Sequence, residues 1–270
     1  MDVALLMIAG GMAAGVFGSL LGLGGGVLIV PLLTLVFGLD LREAVGVSLV
    51  SVIMTSSVAA GVYLERHVAD LRLGMRLELF TAIGALIGGS VAFLIEERVL
   101  ALLFAMLLLY VALSMLRSRA ADTKERAEAT TDGSSDPEPA TAAGGPTYEV
   151  RNMPLGVAGA TGAGVLSALL GVGGGIVKVP LMHLGMGVPL RVSTATSNLM
   201  VGITAAASAV IYVIHGEVDP FVAGPTAIGV FLGASIGSRV AHRIDLRVLR
   251  WLFVAVLLYT AVQMLLRVIA

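Results

Sequence analysis

Two glycine clusters are the first candidates for chemistry in this chain, Gly24-Gly25-Gly26 and Gly173-Gly174-Gly175. Each precedes a short apolar segment that contains a proline, 27–39 in the first case and 176–188 in the second. A helix of about 13 residues spans roughly 20 Å, less than the hydrocarbon core of about 30 Å, so we expect these helices to begin inside a membrane. A helix start exposes unpaired N–H groups and the positive end of a dipole, which attract anions. The alternative is that the glycines only permit close packing of helices.

Lys178 is the most unusual charged residue outside the loops. It lies in the second glycine motif, where the first motif has Ile29. A lysine at membrane depth costs about 2.5–3.5 kcal/mol on the mildest scale and therefore needs a partner. Glu78 is the only acidic residue well inside an apolar segment, but we expect it to form a surface ion pair near Arg72 and Arg76. A substrate anion is then the expected partner of Lys178, and the alternative is a lysine that reaches the interface from a short helix.

Hydroxyl and amide side chains follow both motifs in the next apolar segments, 44–64 and 193–214. Ser197 and Asn198 come one helical turn after Thr194 and can share a face with it. Such groups can bind the oxygens of an anion, although serine and threonine in membrane helices also bond to their own backbone. The candidate ligands beside the glycine clusters are Ser48, Ser51, Thr194, Ser197 and Asn198.

The two motifs belong to one unit that occurs twice. A shift of 149 residues aligns 20–116 with 169–265 without a gap and gives 37 identities in 97 positions. Among the aligned pairs, Val30-Pro31-Leu32 matches Val179-Pro180-Leu181, and Ser48 matches Ser197. Internal duplication of this kind is common among secondary transporters.

The composition places these units in a membrane. Only 13% of the 270 residues are charged, against about 25% in soluble domains, and the mean hydropathy is +0.98. Apolar runs of this length are too long for barrel strands, so we predict an all-α polytopic membrane protein with about five hydrophobic elements in each repeat. The predicted elements are 3–21, 27–39, 44–64, 75–95 and 99–117, then 153–170, 176–188, 193–214, 221–241 and 248–266.

Basic residues indicate how these elements cross the bilayer. If each short segment is a separate element, the two repeats have opposite orientations, and all but four of the 17 basic residues fall on the side of the linker. Arg42, Arg98 and Arg267 fall on the other side, and Lys178 lies inside a segment. Because basic residues favour the cytoplasmic side, we predict inverted repeats, both termini outside and a cytoplasmic linker. The predicted parts are a first transmembrane repeat (1–117), a flexible polar linker (118–150) and a second transmembrane repeat (151–270).

The doubled Gly-x-Gly-Gly-Gly motif resembles the sulfite exporter TauE/SafE family, since each copy is followed by Val-Pro-Leu, a short loop and a helix rich in serine and threonine. The resemblance covers both repeats, nearly the whole chain outside the linker. It implies transport of small sulfur-containing anions such as sulfite, sulfonates or sulfoacetate, often in the export direction. The Thr-Ser pair of the family is present as Thr196-Ser197, whereas the first repeat has Val47-Ser48, so the halves are expected to contribute unequally.

These observations predict a secondary transporter of the cytoplasmic membrane that exports a small sulfur-containing anion by alternating access. The alternatives are an anion channel and an importer of another small oxyanion, such as thiosulfate, sulfate or a carboxylate. An enzyme is not expected, because the glycine motif lacks the Gly-Lys-Ser/Thr of a phosphate-binding loop and no cluster of histidines and glutamates suits a metal. We expect no cofactor, no metal and, at a net charge of −1, no nucleic-acid partner.

Overall fold

The computed structural model describes residues 2–21, 25–65, 69–129, 148–240 and 246–269. The described residues are almost entirely helical and form no strand. Each helix begins or ends within a few residues of the loop, glycine or proline breaks that bound the predicted elements. The helices are α1 (Asp2–Leu21), α2 (Gly26–Pro31), α3 (Leu41–Glu65), α4 (Leu71–Ala92), α5 (Glu97–Ala129), α6 (Met153–Leu170), α7 (Gly175–Pro180), α8 (Leu190–Ile214), α9 (Pro220–Val240) and α10 (Leu246–Ile269).

The two short helices have the same construction. Helix α2 continues into a π-helical turn at Leu32–Val36, and α7 continues into one at Leu181–Gly185. In both cases the wider turn begins directly after a proline, which lacks the N–H that an α-helical bond would need. The prediction of short, broken helices at the glycine motifs is confirmed.

The helices have the length and apolarity that membrane crossing requires. By these two criteria six of the described helices can span a bilayer: α3, α4, α5, α6, α8 and α9. Three shorter apolar helical stretches, Val3–Ser19, Gly26–Val36 and Trp251–Leu266, belong to α1, to α2 with its π-helical turn, and to α10. The short helix α7 is the tenth element. The prediction of an all-α polytopic membrane protein is confirmed.

The two repeats are interleaved. Helix α1 of the first repeat packs along α9 of the second, and in the equivalent way α6 packs along α4. The match extends to single residues: Gly84 of α4 lies against the carbonyl of Thr161, and its counterpart Gly233 of α9 lies against the carbonyl of Met12. Because each of these residues is 149 positions from its counterpart, the duplication is present in the packing as well as in the sequence.

The equivalent helices α3 and α8 cross in opposite directions. Gly46 near the start of α3 contacts Tyr212 near the end of α8, whereas Ser56 farther along α3 donates a hydrogen bond to the carbonyl of Asn198 near the start of α8. Val52 and Val201 are counterparts in the two repeats and both border Gly173. A pseudo-two-fold axis therefore passes between these valines, and the prediction of inverted repeats is confirmed.

Helix α5 extends beyond the predicted end of the first repeat at residue 117. Its backbone continues to Ala129, inside the segment 118–150 that was assigned to a flexible linker. Residues 130–147, the centre of that segment, lie outside the described residues. After them, Tyr148 begins the approach to α6.

Candidate functional site

Both broken helices start at a left-handed glycine. Gly25 precedes α2 with φ 74°, and Gly174 precedes α7 with φ 73°. A residue with a side chain is strained in this conformation, which explains why glycine stands here in both repeats. The first amides of a helix have no intrahelical partner, and at neither of these starts does a capping side chain bind them. Gly24, a further candidate, lies outside the described residues.

The break of one repeat touches the break of the other. Gly26, the first residue of α2, lies against the carbonyl of Gly171, which ends α6. The hydroxyl of Ser48 donates to that same carbonyl at 2.8 Å, and the Ser48 Oγ also lies 3.3 Å from the carbonyl oxygen of Gly26. Gly26, Ser48 and Gly171 are all buried, so the structure brings the two glycine motifs and Ser48 together in the interior of the protein.

Ser197 is the counterpart of Ser48 but is bonded differently. Its side chain is buried, with 2% exposed, and its hydroxyl has no hydrogen-bond partner among the described residues. It faces Gly175 at the start of α7, where a Cβ would lie 3.6 Å from the Ser197 Oγ. The repeat symmetry matches the carbonyl of Gly171 with that of Gly22, which lies outside the described residues. A buried, unpaired hydroxyl beside an uncapped helix start can donate to an anion.

The remaining predicted ligands bond within their own helices. Ser51 donates to the carbonyl of Val47 at 3.0 Å, and the Asn198 amide donates to the carbonyl of Thr194 at 3.0 Å. Thr194 donates to the carbonyl of Leu190 in its own helix and is half-buried. The structure therefore places Ser51 and Asn198 in the protein interior, but the donors named here are already bonded to the backbone of their own helices. Thr194 does not lie in the interior.

Lys178 lies in a buried cluster that includes a carboxylate. Its Nζ is 3.3 Å from Glu78 Oε2 and donates to Thr204 Oγ1 at 2.6 Å, and Thr204 in turn donates to Glu78 Oε1 at 2.7 Å. Only 1% of Lys178 is exposed, so this lysine does not extend to the interface. The group of Glu78, Lys178 and Thr204 is called the buried triad below.

The expected surface ion pair of Glu78 is wrong. Helix α4 begins at Leu71, after the Asp70 carboxylate caps it by accepting from the amide of Leu73, so Glu78 is two turns inside the helix. Helical periodicity then turns Glu78 toward α8 and α7, while Arg72 and Arg76 are exposed on the other face. The expected anion partner of Lys178 is likewise replaced, in this structure, by Glu78.

Two members of the triad, Glu78 and Thr204, were not among the predicted ligands. A helical projection of α4 would have grouped Glu78 with the buried Leu77, Thr81 and Ala85. Thr204 could have been found from its match with Thr55 in the first repeat, which marks a hydroxyl position kept in both copies.

A polar contact also holds the segment before α6. The Tyr148 hydroxyl donates to Asp70 Oδ2 at 2.7 Å, and the amide of Asp70 donates to Thr196 Oγ1 at 2.9 Å. Burial, together with the bond to the Asp70 carboxylate and its charge, raises the pKa of Tyr148 above its ordinary value. This contact joins the end of the connecting segment to α4 and α8.

The fold and the two broken helices together indicate the class of protein. Inverted repeats, each with a short broken helix that starts at the middle of the molecule, are the architecture of secondary transporters. Residues 7–264 match the model of the sulfite exporter TauE/SafE family. The chain belongs to this family and is a membrane transporter, as its sequence resemblance predicted.

Relatives of known name carry the same general description. The chain is 26% identical to the probable membrane transporter protein YunE of Bacillus subtilis over 96% of each chain. It is 29% identical to a probable membrane transporter protein of Xylella fastidiosa, over 89% of this chain and 86% of that one. The probable membrane transporter protein YdhB of Bacillus subtilis is 27% identical, over 83% and 85%. No solved structure matches the chain significantly.

Proposed function

We propose that this transporter exports a small sulfur-containing anion, such as sulfite, an organosulfonate or sulfoacetate, by alternating access. The observation that carries the proposal is an uncapped helix start in each inverted repeat, with a buried lysine one turn into the second. The first of these starts also contacts the other repeat, because Gly26 lies against the carbonyl of Gly171. The family description, sulfite exporter, supports the choice of sulfur chemistry.

The proposed site binds oxygens by donors alone. Its backbone donors are the amides that precede the first intrahelical bonds, those made by Leu28 to Gly25 and by Val177 to Gly174. The hydroxyl of Ser197, which has no partner in the part of the chain that the structure describes, adds a neutral donor, and Lys178 supplies the positive charge. A tetrahedral or pyramidal oxyanion presents several acceptor oxygens at once, and several donors converging on it suit this shape.

The inverted symmetry supports a mechanism of alternating access. The two halves of an inverted repeat can exchange conformations, so that the arrangement that opens one side becomes the arrangement that opens the other. The site lies beside the pseudo-two-fold axis between Val52 and Val201, where both conformations can reach it. An anion channel would instead require a continuous wet pathway.

A binding screen tests the substrate class. Sulfite, thiosulfate, taurine, sulfoacetate and sulfate, with acetate as a carboxylate, are added to the purified full chain, and thermal unfolding is followed. A ligand at a hundred times its Kd stabilises the folded state by about 2.7 kcal/mol, which a shift in Tm reports. We expect stabilisation by sulfite, taurine or sulfoacetate, lost in Lys178→Ala and retained in Arg72→Ala, which removes an exposed cation instead. Stabilisation by thiosulfate, sulfate or acetate alone would favour the alternative substrates.

A second experiment tests the proposed orientation, with both termini outside and the linker in the cytoplasm. The chain has no cysteine, so single cysteines can be labelled without background. Ser134→Cys in the linker should be protected from an impermeant maleimide in intact cells, and Glu96→Cys in the loop between α4 and α5 should react. Reaction of Ser134→Cys in intact cells would reverse the orientation. Direction is then measured as ATP-independent uptake into inside-out vesicles, which export predicts.

A further inference from the structure

We infer that Glu78 is the proton-binding site that couples proton movement to anion movement in this transporter. The inference rests on the proposed function, because it concerns how the same lysine comes to bind the anion. In the structure the carboxylate of Glu78 lies 3.3 Å from the ammonium of Lys178 and balances its charge. The anion therefore competes with Glu78 for the single positive charge of Lys178, and we infer that it displaces the carboxylate.

Displacement creates an imbalance of charge that a proton removes. The resting triad holds one positive and one negative charge and is neutral. An anion that joins it unprotonated would leave a net negative charge in a buried region, at high cost. One proton, transferred from a hydronium ion on the entry side to a carboxylate oxygen of Glu78, restores neutrality for a monoanion and halves the excess charge of a dianion. An O–H bond of hydronium breaks as the carboxyl O–H bond forms, and release of the anion returns the proton to water on the other side.

Thr204 allows Glu78 to change state without losing its polar contacts. Its hydroxyl accepts from Lys178 and donates to Glu78 Oε1 in the resting triad. When Glu78 is protonated, the same hydroxyl can accept from the new carboxyl O–H, because a hydroxyl can act as donor and acceptor. The carboxyl group thus keeps a partner in both protonation states.

The surroundings of Glu78 contain little else that titrates. On α4 itself, Arg72 and Arg76 are exposed, and α6, which packs along α4, carries no titratable side chain between Met153 and Leu170. On α8, Arg191 is exposed at the start, and Tyr212 donates to the carbonyl of Ala168 at the far end.

The turn after α7 contributes one further titratable group. This is His183, half-buried, whose Nδ1 lies 2.9 Å from the carbonyl of Val188. Among the described residues, Lys178 is the charged group that contacts Glu78.

The other repeat shows that the fold does not need this ion pair. The counterparts of Lys178 and Glu78 are Ile29 and Ala227, both buried, whereas the counterpart of Thr204 is again a threonine, Thr55. The same helix crossing is thus packed with apolar side chains in one half and with a lysine and a glutamate in the other. A buried ion pair gives no general advantage in stability over apolar packing, so its presence in one half points to a role in transport.

Proton counting on the wild-type chain tests the inference directly. Methanesulfonate and thiosulfate are used because both stay ionised near neutral pH, so that any proton counted belongs to the protein. Calorimetric titration in two buffers of different ionisation enthalpy should give about one proton taken up for each anion bound. Linkage then requires the affinity to fall about tenfold for each pH unit over the range in which that proton is taken up. Anion binding without proton uptake would overturn the inference.

Matched variants assign the proton to Glu78. Glu78→Gln keeps the shape of the side chain but cannot ionise, so it should bind anions without proton uptake and without pH dependence. Glu96→Gln makes the same change in an exposed loop and should take up the proton as the wild type does. If Glu78→Gln does not fold, Glu78→Ala, which copies Ala227 and keeps Lys178 to bind the anion, replaces it and should also bind anions without proton uptake.

The outcomes separate the two proposals. Proton uptake by Glu78→Gln or by Glu78→Ala equal to that of the wild type would show that the proton binds elsewhere, and the inference would be wrong while the proposed function stands. If the wild-type chain binds none of the sulfur anions, the proposed function is wrong and this inference fails with it.

Discussion

Breaking the ion pair between Lys178 and Glu78 should cost far more than removing both of its members. At a separation of 3.3 Å and an effective dielectric constant of about 20, the attraction between the two charges is about 5 kcal/mol. Removing one member leaves the other charged, buried and unpaired, which costs about 3–5 kcal/mol of unfolding free energy. Lys178→Ile and Glu78→Ala should each show a loss of this size.

The double variant Glu78→Ala/Lys178→Ile should lose much less than the sum of the single losses. It recreates the pair Ala227 and Ile29, which packs the equivalent crossing in the other repeat. Reversible unfolding in mixed detergent micelles measures the three losses, and the double-mutant cycle gives the coupling, which we expect to exceed about 2 kcal/mol. Additive losses would show that the two side chains do not act as a pair, and would refute the interpretation of the triad.

Three other changes have equally definite outcomes. Ser197→Ala should weaken anion binding about tenfold, which corresponds to one hydrogen bond to a charged group, with little change in Tm. The control Ser208→Ala removes a buried hydroxyl that is bonded within its own helix, and it should not affect binding. Gly164→Ala should lower the free energy of unfolding by about 1–3 kcal/mol, because the carbonyl of Thr81 in α4 occupies the space of the added Cβ. Gly162→Ala, two residues away and facing open space, should be neutral or stabilise by up to about 1 kcal/mol, and unfolding in micelles compares the two variants. The raised pKa of Tyr148 means that the folded state favours the neutral phenol. Its contribution to folding stability is therefore complete below pH 10.0 and is lost as the pH rises through the pKa of the folded state. In a series of Tm values measured against pH, Tyr148→Phe should remove this part of the loss of stability at alkaline pH.

The sequence was sufficient for the architecture because the architecture depends on patterns that repeat. Every apolar segment corresponds to a helix, and the short segments after the glycine clusters are short helices that start at Gly26 and Gly175. The inverted arrangement followed from the distribution of basic residues, a property of the whole chain, and the antiparallel crossing of α3 and α8 agrees with it.

The partner of Lys178 was not predictable in the same way. Glu78 is 100 residues away in the sequence and belongs to the other repeat, so no local pattern links the two side chains. Its proximity to Arg72 and Arg76 along the chain suggested a surface ion pair, but the Asp70 cap places the start of α4 two turns before Glu78. The difference between Ser48 and Ser197, which align with each other, also depends on tertiary contacts: one finds the carbonyl of Gly171 and the other finds no partner among the described residues.

The most direct test of the central claim is counterflow in proteoliposomes. Vesicles that contain the full chain are loaded with an unlabelled sulfur anion from the binding screen, and uptake of the same anion in labelled form is followed. We expect saturable uptake that exceeds that of protein-free vesicles and falls at least about tenfold in Lys178→Ala, the effect of about 1.4 kcal/mol of lost binding. Equal uptake by Lys178→Ala and the wild type would refute the role of Lys178, and wild-type uptake no faster than in protein-free vesicles for every sulfur anion tested would refute the proposed function.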